Sequence, residues 1–384
     1  MKIVIVVPTH WEYFMGGAQF QARLLVETLD KLDCAEIVYI ATRTRPTTTR
    51  SDHRIVALPH SPFLHRYGYF WDAIPLWRAL RRERPDVIYQ TVGCAHTGIC
   101  AAFARQHGIR MVWHIASDID CERFPFSLAS LLQPHKLLEK SLIEWSLTRV
   151  PVIVAQTHVQ SEKLRQNYGR RPDYLIRNFI PKPPQPSKSM AQIEVLWVAN
   201  LKDIKQPQVF LDLAQSLSDV ANLSFSMVGA PYEELDKQRA IDERVDALPN
   251  VRYFGRLTQE EVANRMAAAH MLVNTSEYEG FSNAFIQAWM HCMPVLTIGV
   301  NPDGLLDGGA LGSACGSATE LSTSIRRIAA DPMRLATNGL EAREYAIRVF
   351  SMENAERLAK LLLGFAQRSS GSSLTMTAVN DWSD

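Results

Sequence analysis

The chain is 384 residues long, 47% hydrophobic and 21% charged, with a formal net charge of +1. This length fits two domains of roughly 150 to 200 residues, and the composition excludes a fibrous or disordered chain. No apolar run reaches the roughly 18 residues that cross a bilayer, and the first residues turn polar too soon for a signal peptide. We therefore expect a cytoplasmic protein. The six cysteines lack zinc-binding spacing, and we expect no metal and no cofactor.

The charge is distributed unevenly along the chain. Residues 1–180 contain 23 Lys and Arg against 16 Asp and Glu, whereas the remainder contains 18 against 24. A basic half is typical of proteins with an anionic partner. Two stretches in this half, 71–84 and 127–147, combine aromatic and Leu residues with Lys and Arg. Two interpretations are open for these stretches. They could lie on the inner face of the plasma membrane, in peripheral contact with anionic lipids, or they could be ordinary helices that pack on a sheet. We expect no nucleic-acid partner.

Short β-branched strands alternate with amphipathic helices along most of the chain, which predicts an α/β fold with parallel sheets. In the first half we predict strands at 2–7, 36–41, 54–58, 87–90, 110–114 and 152–155. Helices are predicted between most of them, for example at 19–32 and 96–106. A second series of strands is predicted at 195–198, 223–228, 251–254, 271–273 and 295–298.

The two series are separated by a segment with four prolines, which excludes a helix or a central strand. The chain therefore divides into five predicted regions. They are an N-terminal Rossmann-like domain (1–178), a linker (179–191), a C-terminal Rossmann-like domain (192–340), C-terminal helices that pack back toward the first domain (341–366) and a disordered tail (367–384).

The most informative segment is TSEYEGFSNAFIQAWMHCMP, at 275–294. It follows a predicted strand and begins a helix at about Ser282, a good N-cap residue. The free N–H groups of a first helical turn suit an anion such as a diphosphate, and Gly280 allows the backbone to approach it. Glu279 can accept hydrogen bonds from sugar hydroxyls, and Gln287 lies further along the same helix.

This segment resembles the signature of the family 4 retaining glycosyltransferases, in which a Glu is followed by seven residues and a second Glu. The resemblance implies the GT-B fold, with two Rossmann-like domains facing each other across a cleft. The N-terminal domain (1–178) would bind the acceptor, and the C-terminal domain (192–340) would bind the nucleotide-sugar donor. It also implies that Glu279 binds the donor sugar and that the backbone at Gly280, Phe281, Ser282 and Asn283 binds the phosphates. The second Glu, which binds the ribose, is Gln287 in this chain.

A second match is VLWVANLKDIKQP, at 195–207, which resembles the family's loop with an Arg and a Lys that clamp the diphosphate. Lys205 matches the Lys. Asn200 stands where the family has Arg, and Lys202 offers a substitute cation. Because basic groups could neutralise the diphosphate, we expect metal-independent activity.

The remaining matches are single loops. Gly16 and Gly17 resemble the family's Gly-Gly-Ala loop, and His114 matches a histidine that contacts the donor sugar. Gly255 and Arg256 resemble the loop where the nucleotide base rests. From the residues themselves, Asp118 and Asp120 are candidates for binding acceptor hydroxyls.

The resemblance implies a retaining hexosyltransferase-type enzyme (EC 2.4) that uses a nucleoside diphosphate sugar as co-substrate. Its catalytic residues would be His114, Glu279 and Lys205. The basic half suggests a saccharide or lipid-linked saccharide acceptor, as in the assembly of bacterial surface polysaccharide or glycolipid. Two alternatives stay open: a nucleotide-sugar-binding protein without catalysis, and a sugar-nucleotide epimerase of the same fold.

Overall fold

A computed structural model describes residues 1–45, 53–65, 67–123 and 134–369 of the chain. The chain forms two compact units. Met1–Phe179 and the C-terminal segment from Met352 make up the first unit, and Ile180–Ser351 makes up the second. The chain thus leaves the first unit once and later returns to it.

Seven parallel strands form the sheet of the first unit, in the order β3-β2-β1-β4-β5-β6-β7. They are β1 (Lys2–Val6), β2 (Glu36–Ala41), β3 (Arg54–Ala57), β4 (Val87–Thr91), β5 (Arg110–His114), β6 (Val152–Ala155) and β7 (Tyr174–Leu175). Every residue of β4 is buried. Such continuous burial is typical of a parallel sheet with helices on both faces.

The helices of this unit surround two hydrophobic cores, one on each face of the sheet. They are α1 (Gly17–Leu32), α2 (Pro62–His65), α3 (Ala73–Glu83), α4 (Ala95–His107), α5 (Pro134–Leu147) and α6 (His158–Tyr168), with 3-10 turns at Tyr69–Asp72 and Asp118–Cys121. Alternate residues of β1 serve the two cores: Ile3 and Ile5 pack with α1, whereas Val4 and Val6 pack with α3 and α4.

A helix from the end of the chain completes the first core. This helix is α13 (Glu353–Ser369). Its Leu358, Leu362 and Phe365 are buried in the same cluster as Ile3 and Ile5. Residues 367–369, which we predicted to belong to a disordered tail, are instead the last turn of this helix, and the rest of that prediction, 370–384, lies outside the described residues.

Six parallel strands form the second sheet, in the order β10-β9-β8-β11-β12-β13. They are β8 (Ile193–Val198), β9 (Leu223–Val228), β10 (Val251–Tyr253), β11 (Met271–Asn274), β12 (Val295–Thr297) and β13 (Gly312–Ala314). The helices of this unit are α7 (Pro207–Ser216), α8 (Leu235–Asp246), α9 (Gln259–Ala268), α10 (Asn283–Met290), α11 (Ala318–Ala329) and α12 (Pro332–Val349), with 3-10 turns at Asp203–Lys205 and Pro302–Gly304.

The proline-rich segment is held against the second unit. The guanidinium of Arg343 donates to the carbonyl oxygens of Met290 and Pro183, and Lys188 donates to that of Ala269. The second unit extends to Ser351, so residues 341–351 belong to it, and the return to the first unit comes later than the predicted boundary at 340.

The predicted α/β class with two Rossmann-like domains is confirmed by these two parallel sheets. Two short strands, β7 and β13, were not predicted. β13 begins at Gly312, which has φ +141° and lies so close to the backbone of Val295 that a Cβ would not fit. Because glycine is unfavourable in strands, the sequence does not predict a strand at this position. The same glycine allows the close pairing with β12, since it has no Cβ.

Candidate functional site

Except for Gly16 and Gly17, which lie in the first unit, the predicted donor-binding residues follow strands of the second sheet, in loops or in the first turns of α10. Asn200, Lys202 and Lys205 follow β8, Gly255 and Arg256 follow β10, and residues 279–287 follow β11. In a parallel sheet these loops share the carboxyl edge, where open α/β folds bind their ligands.

Lys205 and Glu279 form an ion pair at this edge. Lys205 Nζ lies 2.5 Å from Glu279 Oε1, and the side chains are 21% and 15% exposed. The same carboxylate oxygen accepts hydrogen bonds from Asn274 Nδ2 at 3.3 Å and Ser276 Oγ at 3.1 Å. The cation predicted for the diphosphate and the carboxylate predicted for the sugar are thus adjacent, and neighbouring polar groups orient the carboxylate.

Thr275 holds the backbone that carries Lys205. Its hydroxyl is fully buried, accepts from Trp197 Nε1 at 3.0 Å and lies 2.7 and 3.0 Å from the carbonyl oxygens of Lys205 and Gln206. Neither this threonine nor its neighbours Asn274 and Ser276 were predicted as site residues. The available signal was a polar run, Asn-Thr-Ser, directly after a buried apolar strand.

Two other residues of the loop after β8, Asn200 and Lys202, were predicted to face the diphosphate, and their side chains differ in their contacts. Asn200 Oδ1 accepts from the backbone N–H of Ala230 at 3.1 Å, so this side chain links the loops after β8 and β9. Lys202 is exposed, and its side chain has no hydrogen bond or ion pair to any residue that the structure describes. Of the two, only Lys202 offers a free charge to a ligand.

The helix α10 begins as predicted, with Ser282 at the N-cap, but the Ser282 side chain makes no capping hydrogen bond. No acidic residue lies in its first turn. Phe281 is 6% exposed and its ring packs 4.9 Å from that of Phe350, so it can serve a ligand only through its backbone. Gly280, Asn283 and Gln287 are half-buried, within reach of solvent.

At the loop after β10, Gly255 adopts φ +67° and its carbonyl oxygen accepts from the N–H of Gly229 at 2.9 Å. This positive φ favours glycine. Arg256 is exposed and has no partner in the described part of the chain. The loop therefore presents a second uncommitted cation on this edge.

In the first unit, His114 ends β5 but is almost fully buried. Its Nδ1 lies 3.0 Å from the Tyr89 hydroxyl and its Nε2 lies 3.3 Å from the carbonyl oxygen of Ile176. Burial lowers its pKa to about 4, so the ring is neutral at pH 7. Because both nitrogens contact protein groups, a sugar that reached His114 would compete with Tyr89 or with the carbonyl oxygen of Ile176 for the ring. The predicted sugar contact stays a prediction.

The two aspartates after β5 differ in burial. Asp118 is half-buried and its Oδ1 accepts from Gln160 Nε2 at 3.1 Å. Asp120 is buried and accepts from the N–H of Gly93 at 3.3 Å. Burial raises the pKa of Asp120 to about 6, although the charge of Lys140 opposes the rise. Asp120 thus combines a perturbed carboxyl with a position at the carboxyl edge of the sheet.

Gly16 and Gly17 lie at the start of α1, on the same edge of the first sheet. Gly16 is the N-cap residue, and a Cβ on it would meet the side chains of Gln19 and Phe14. The predicted glycine loop therefore keeps the backbone close to its own neighbours at the helix start.

Two general features bear on possible partners. Across the described ranges, no group of three or more His, Cys, Asp or Glu residues is arranged to hold a metal ion. Within those ranges, too, every helix is either too short or too polar to span a bilayer.

Two family models match the chain, one in each half. The model described as Glycosyltransferase Family 4 matches residues 15–181, and the model described as Glycosyl transferases group 1 matches residues 192–331. A search of curated proteins finds no match.

Solved structures resemble the chain over nearly its full length. Sucrose-phosphate synthase from Thermosynechococcus elongatus has a TM-score of 0.76 at 18% identity, covering 97% of this chain and 100% of that one. HepE from Anabaena, in complex with UDP and glucose, has a TM-score of 0.69 at 17% identity, covering 95% and 100%. The lipopolysaccharide outer core galactosyltransferase WaaB, in its apo form, has 0.66 at 14%, covering 94% and 99%. At these identities the likeness establishes the fold.

Proposed function

Because the chain belongs to the family 4 glycosyltransferases and has the GT-B fold, we propose that it moves a sugar from a nucleoside diphosphate sugar to an acceptor hydroxyl, with retention. The observation that carries this proposal is the pairing of Lys205 with Glu279 beside the first turn of α10. A cation, a carboxylate and a helix N-terminus within one edge can serve the phosphates and the sugar of the same molecule.

In this proposal the diphosphate lies between the start of α10 and the loop after β8. Lys205 and Lys202 contribute positive charge, and Lys202 takes over from the arginine that Asn200 replaces. These groups stabilise the negative charge that develops as the diphosphate departs, so no divalent cation is required. Equal rates in buffer with EDTA and in buffer with magnesium would support this.

Specific contacts to the rest of the donor follow the family pattern. Glu279 accepts hydrogen bonds from sugar hydroxyls, Gln287 binds the ribose without charge assistance, and Gly255 and Arg256 line the base. Another solved structure of HepE is in complex with UDP-glucose, which makes uridine donors the first to test.

We place the acceptor in the first, basic unit, where Asp118 and Asp120 can bind its hydroxyls. The exposed side of α3, together with Trp71 in the 3-10 turn before it, supports an acceptor at an anionic membrane surface, such as a lipid-linked saccharide. Trp71 is 47% exposed and Ile74 is 63% exposed. The exposed Arg78 and Arg81 follow at helical spacing, on the same side as Ile74. An apolar end beside a basic end suits the lipid interface. Of the other stretch, 127–147, the part at 127–133 lies outside the described residues.

The test is a thermal-shift panel with UDP, GDP, ADP, dTDP and their sugar conjugates, since a ligand that binds the native state raises its melting temperature. We expect one nucleotide class to give a selective shift that Lys205→Ala abolishes. Incubation of that donor with candidate acceptors, and NMR of the anomeric proton in the product, then tests transfer and retention.

A non-catalytic nucleotide-sugar-binding protein is the second candidate, favoured by Asn200 and Gln287 at two positions where the family has charged residues. The commitment of the Asn200 side chain to Ala230 adds to this. Product analysis separates the possibilities. A glycoside with free nucleotide indicates a transferase, an isomerised sugar nucleotide indicates an epimerase, and an unchanged donor that still binds indicates the non-catalytic protein.

A further inference from the structure

A buried carboxylate, Asp72, organises polar residues at the carboxyl edge of the first sheet. Asp72 is 1% exposed and accepts hydrogen bonds from Thr42 Oγ1 at 2.5 Å, His65 Nε2 at 2.8 Å and His96 Nε2 at 2.7 Å. Burial acts to raise the pKa of Asp72, but the hydrogen bonds from His96, Thr42 and His65 outweigh it and lower the pKa. Asp72 is therefore an ionised carboxylate whose oxygens are already occupied.

A second carboxylate nearby is occupied in the same way. Glu139 Oε1 accepts from the N–H of Tyr69 at 2.8 Å and lies 3.5 Å from the N–H of Ala95, the first residue of α4. The Glu139 carboxylate thus lies at the start of the 3-10 turn Tyr69–Asp72 and at the start of α4.

Arg43 lies at the same edge of the sheet. It follows β2, where its carbonyl oxygen accepts from the N–H of His10 at 2.8 Å. Its guanidinium has no hydrogen bond or ion pair to a described residue, and its Nε is buried. A buried donor on a charged group that lacks an acceptor is costly, which makes the position favourable for an anion.

Two groups on which the charge of Arg43 acts can themselves donate hydrogen bonds. Burial raises the pKa of Tyr69, and the charge of Arg43 opposes that rise. Burial, followed by the charges of His65 and Arg43, lowers the pKa of His60, which is exposed. The Tyr69 ring is also 5.2 Å from that of His96, whose buried Nδ1 has no partner. The Tyr69 hydroxyl also hydrogen-bonds the side chain of Thr9, whose backbone pairs with that of Arg43. The guanidinium of Arg43 thus acts on a phenol and on an exposed imidazole, and both can donate a hydrogen bond.

We propose that Arg43, with Tyr69 and His60, binds a phosphate group of the acceptor. The proposal rests on the proposed function only in assigning the acceptor to the first unit. A phosphate offers several acceptor oxygens and matches the planar donor fork of arginine, so it would give the buried Nε an acceptor. The phosphate can belong to a lipid headgroup or to a water-soluble ester, and the two sources share this chemistry.

The experiment uses inorganic phosphate as the probe and the NMR signals of the His60 and Tyr69 rings as the readout, in the full-length protein. We expect saturable shifts with phosphate and none with chloride at equal ionic strength. Arg43→Gln should weaken the apparent affinity at least roughly tenfold, the scale of losing a charge-assisted pair. Arg45→Gln, two residues along and exposed, is the matched control and should bind as the wild type does.

Three further measurements test the role of the guanidinium fork, the independence of the site from the second unit and the source of the phosphate. Arg43→Lys keeps the charge without the fork and should bind with intermediate affinity, which tests the site even if the Gln variant does not fold. Lys205→Ala should leave the shifts intact, because its effect is confined to the second unit. Vesicles of phosphatidylglycerol against phosphatidylcholine identify the source: loss of vesicle binding in Arg43→Gln indicates a lipid phosphate, and retention indicates a soluble phosphate ester.

Unchanged phosphate shifts in Arg43→Gln would overturn the proposal, and equal shifts with acetate would overturn the preference for phosphate. Failure of the proposed function would look different, because the nucleotide panel would then give no shift while the phosphate response at His60 persisted.

Discussion

Lys205 and Glu279, which are 74 positions apart, meet with their charged atoms 2.5 Å from each other. The lysine expected to meet a diphosphate is therefore neutralised by the carboxylate expected to meet the sugar. A donor that binds here must draw Lys205 away or share it, so the two residues should affect binding and turnover differently.

We expect Glu279→Gln to bind the nucleoside diphosphate roughly tenfold more tightly, because a negative charge next to the phosphates is removed. Its turnover should fall about 100-fold, the scale of losing one stabilising group. Lys205→Met should lose both affinity and turnover. Calorimetric titration and initial rates measure the two effects, and Glu277→Gln, an exposed carboxylate bonded to Gln206, is the control. Equal loss of affinity in both site variants would contradict this account.

Thr275→Val should destabilise the second unit and displace Lys205. Valine keeps the shape but leaves the buried Trp197 N–H and the backbone oxygens without their partner, at a cost of about 1 to 3 kcal/mol per unpaired group. Chemical denaturation measures the change. Thr337→Val, an exposed threonine on α12, should stay within about 0.5 kcal/mol of the wild type. A neutral result at Thr275 would mean that this hydroxyl does not support the loop.

Acid should destabilise the protein through His114 and His10. Burial lowers both pKa values from 6.5 to about 4, so between these pH values the unfolded chain binds protons that the folded chain does not. Stability therefore falls as the pH is lowered through this window, by up to about 3 kcal/mol for each histidine. Denaturation across this range should show a shallower pH dependence in His114→Gln, and no change of slope in His107→Gln, an exposed histidine. The same slope in both variants would exclude His114 as the cause.

Asp120 should have the opposite effect. Burial raises its pKa from 3.8 to about 6, so the folded protein binds a proton first and gains stability as the pH falls through that interval. At pH 7, Asp120→Asn removes a buried charge, and we expect a stability equal to the wild type or higher by about 1 to 2 kcal/mol. Melting temperatures at neutral and mildly acidic pH test this. A variant that is less stable at neutral pH would show that the charged form is needed by the fold.

Binding to anionic vesicles should depend on the exposed apolar residues Trp71, in the 3-10 turn, and Ile74, at the start of α3. We expect the double variant Trp71→Ser and Ile74→Ser to bind phosphatidylglycerol vesicles at least roughly tenfold more weakly, because the apolar area that enters the interface is lost. High salt should also weaken wild-type binding, since the neighbouring arginines act through screened charge. Leu235→Ser, an apolar residue 80% exposed in the second unit, is the control for sedimentation. Unchanged sedimentation of the double variant would exclude this face.

The sequence predicts the strands well where apolar, β-branched runs are bounded by polar residues. The ranges of β2, β5, β6 and β9 agree with the prediction at both ends. Since loops after parallel strands share one edge, the same pattern predicts which residues gather there. Very short strands escape this reasoning, because β13 depends on pairing with β12 rather than on its own composition.

Side-chain partners are harder to predict, because they depend on contacts between distant segments. The motif identifies Lys205 and Glu279 but not their ion pair, and the position of His114 at a strand end does not predict the Tyr89 hydroxyl beside it. Asp72 contacts histidines from two other helices rather than Arg43. None of these relationships is visible in spacing along the chain.

The place of α13 in the first core has a consequence for biosynthesis. During translation the second unit, which is continuous in sequence, can emerge and close its core while the first still lacks the helix that covers Ile3 and Ile5. The first unit is therefore the first to be synthesised and the last to complete its core. Until Glu353–Ser369 leaves the ribosome, a nascent chain would keep an apolar strip of its first sheet open to chaperones.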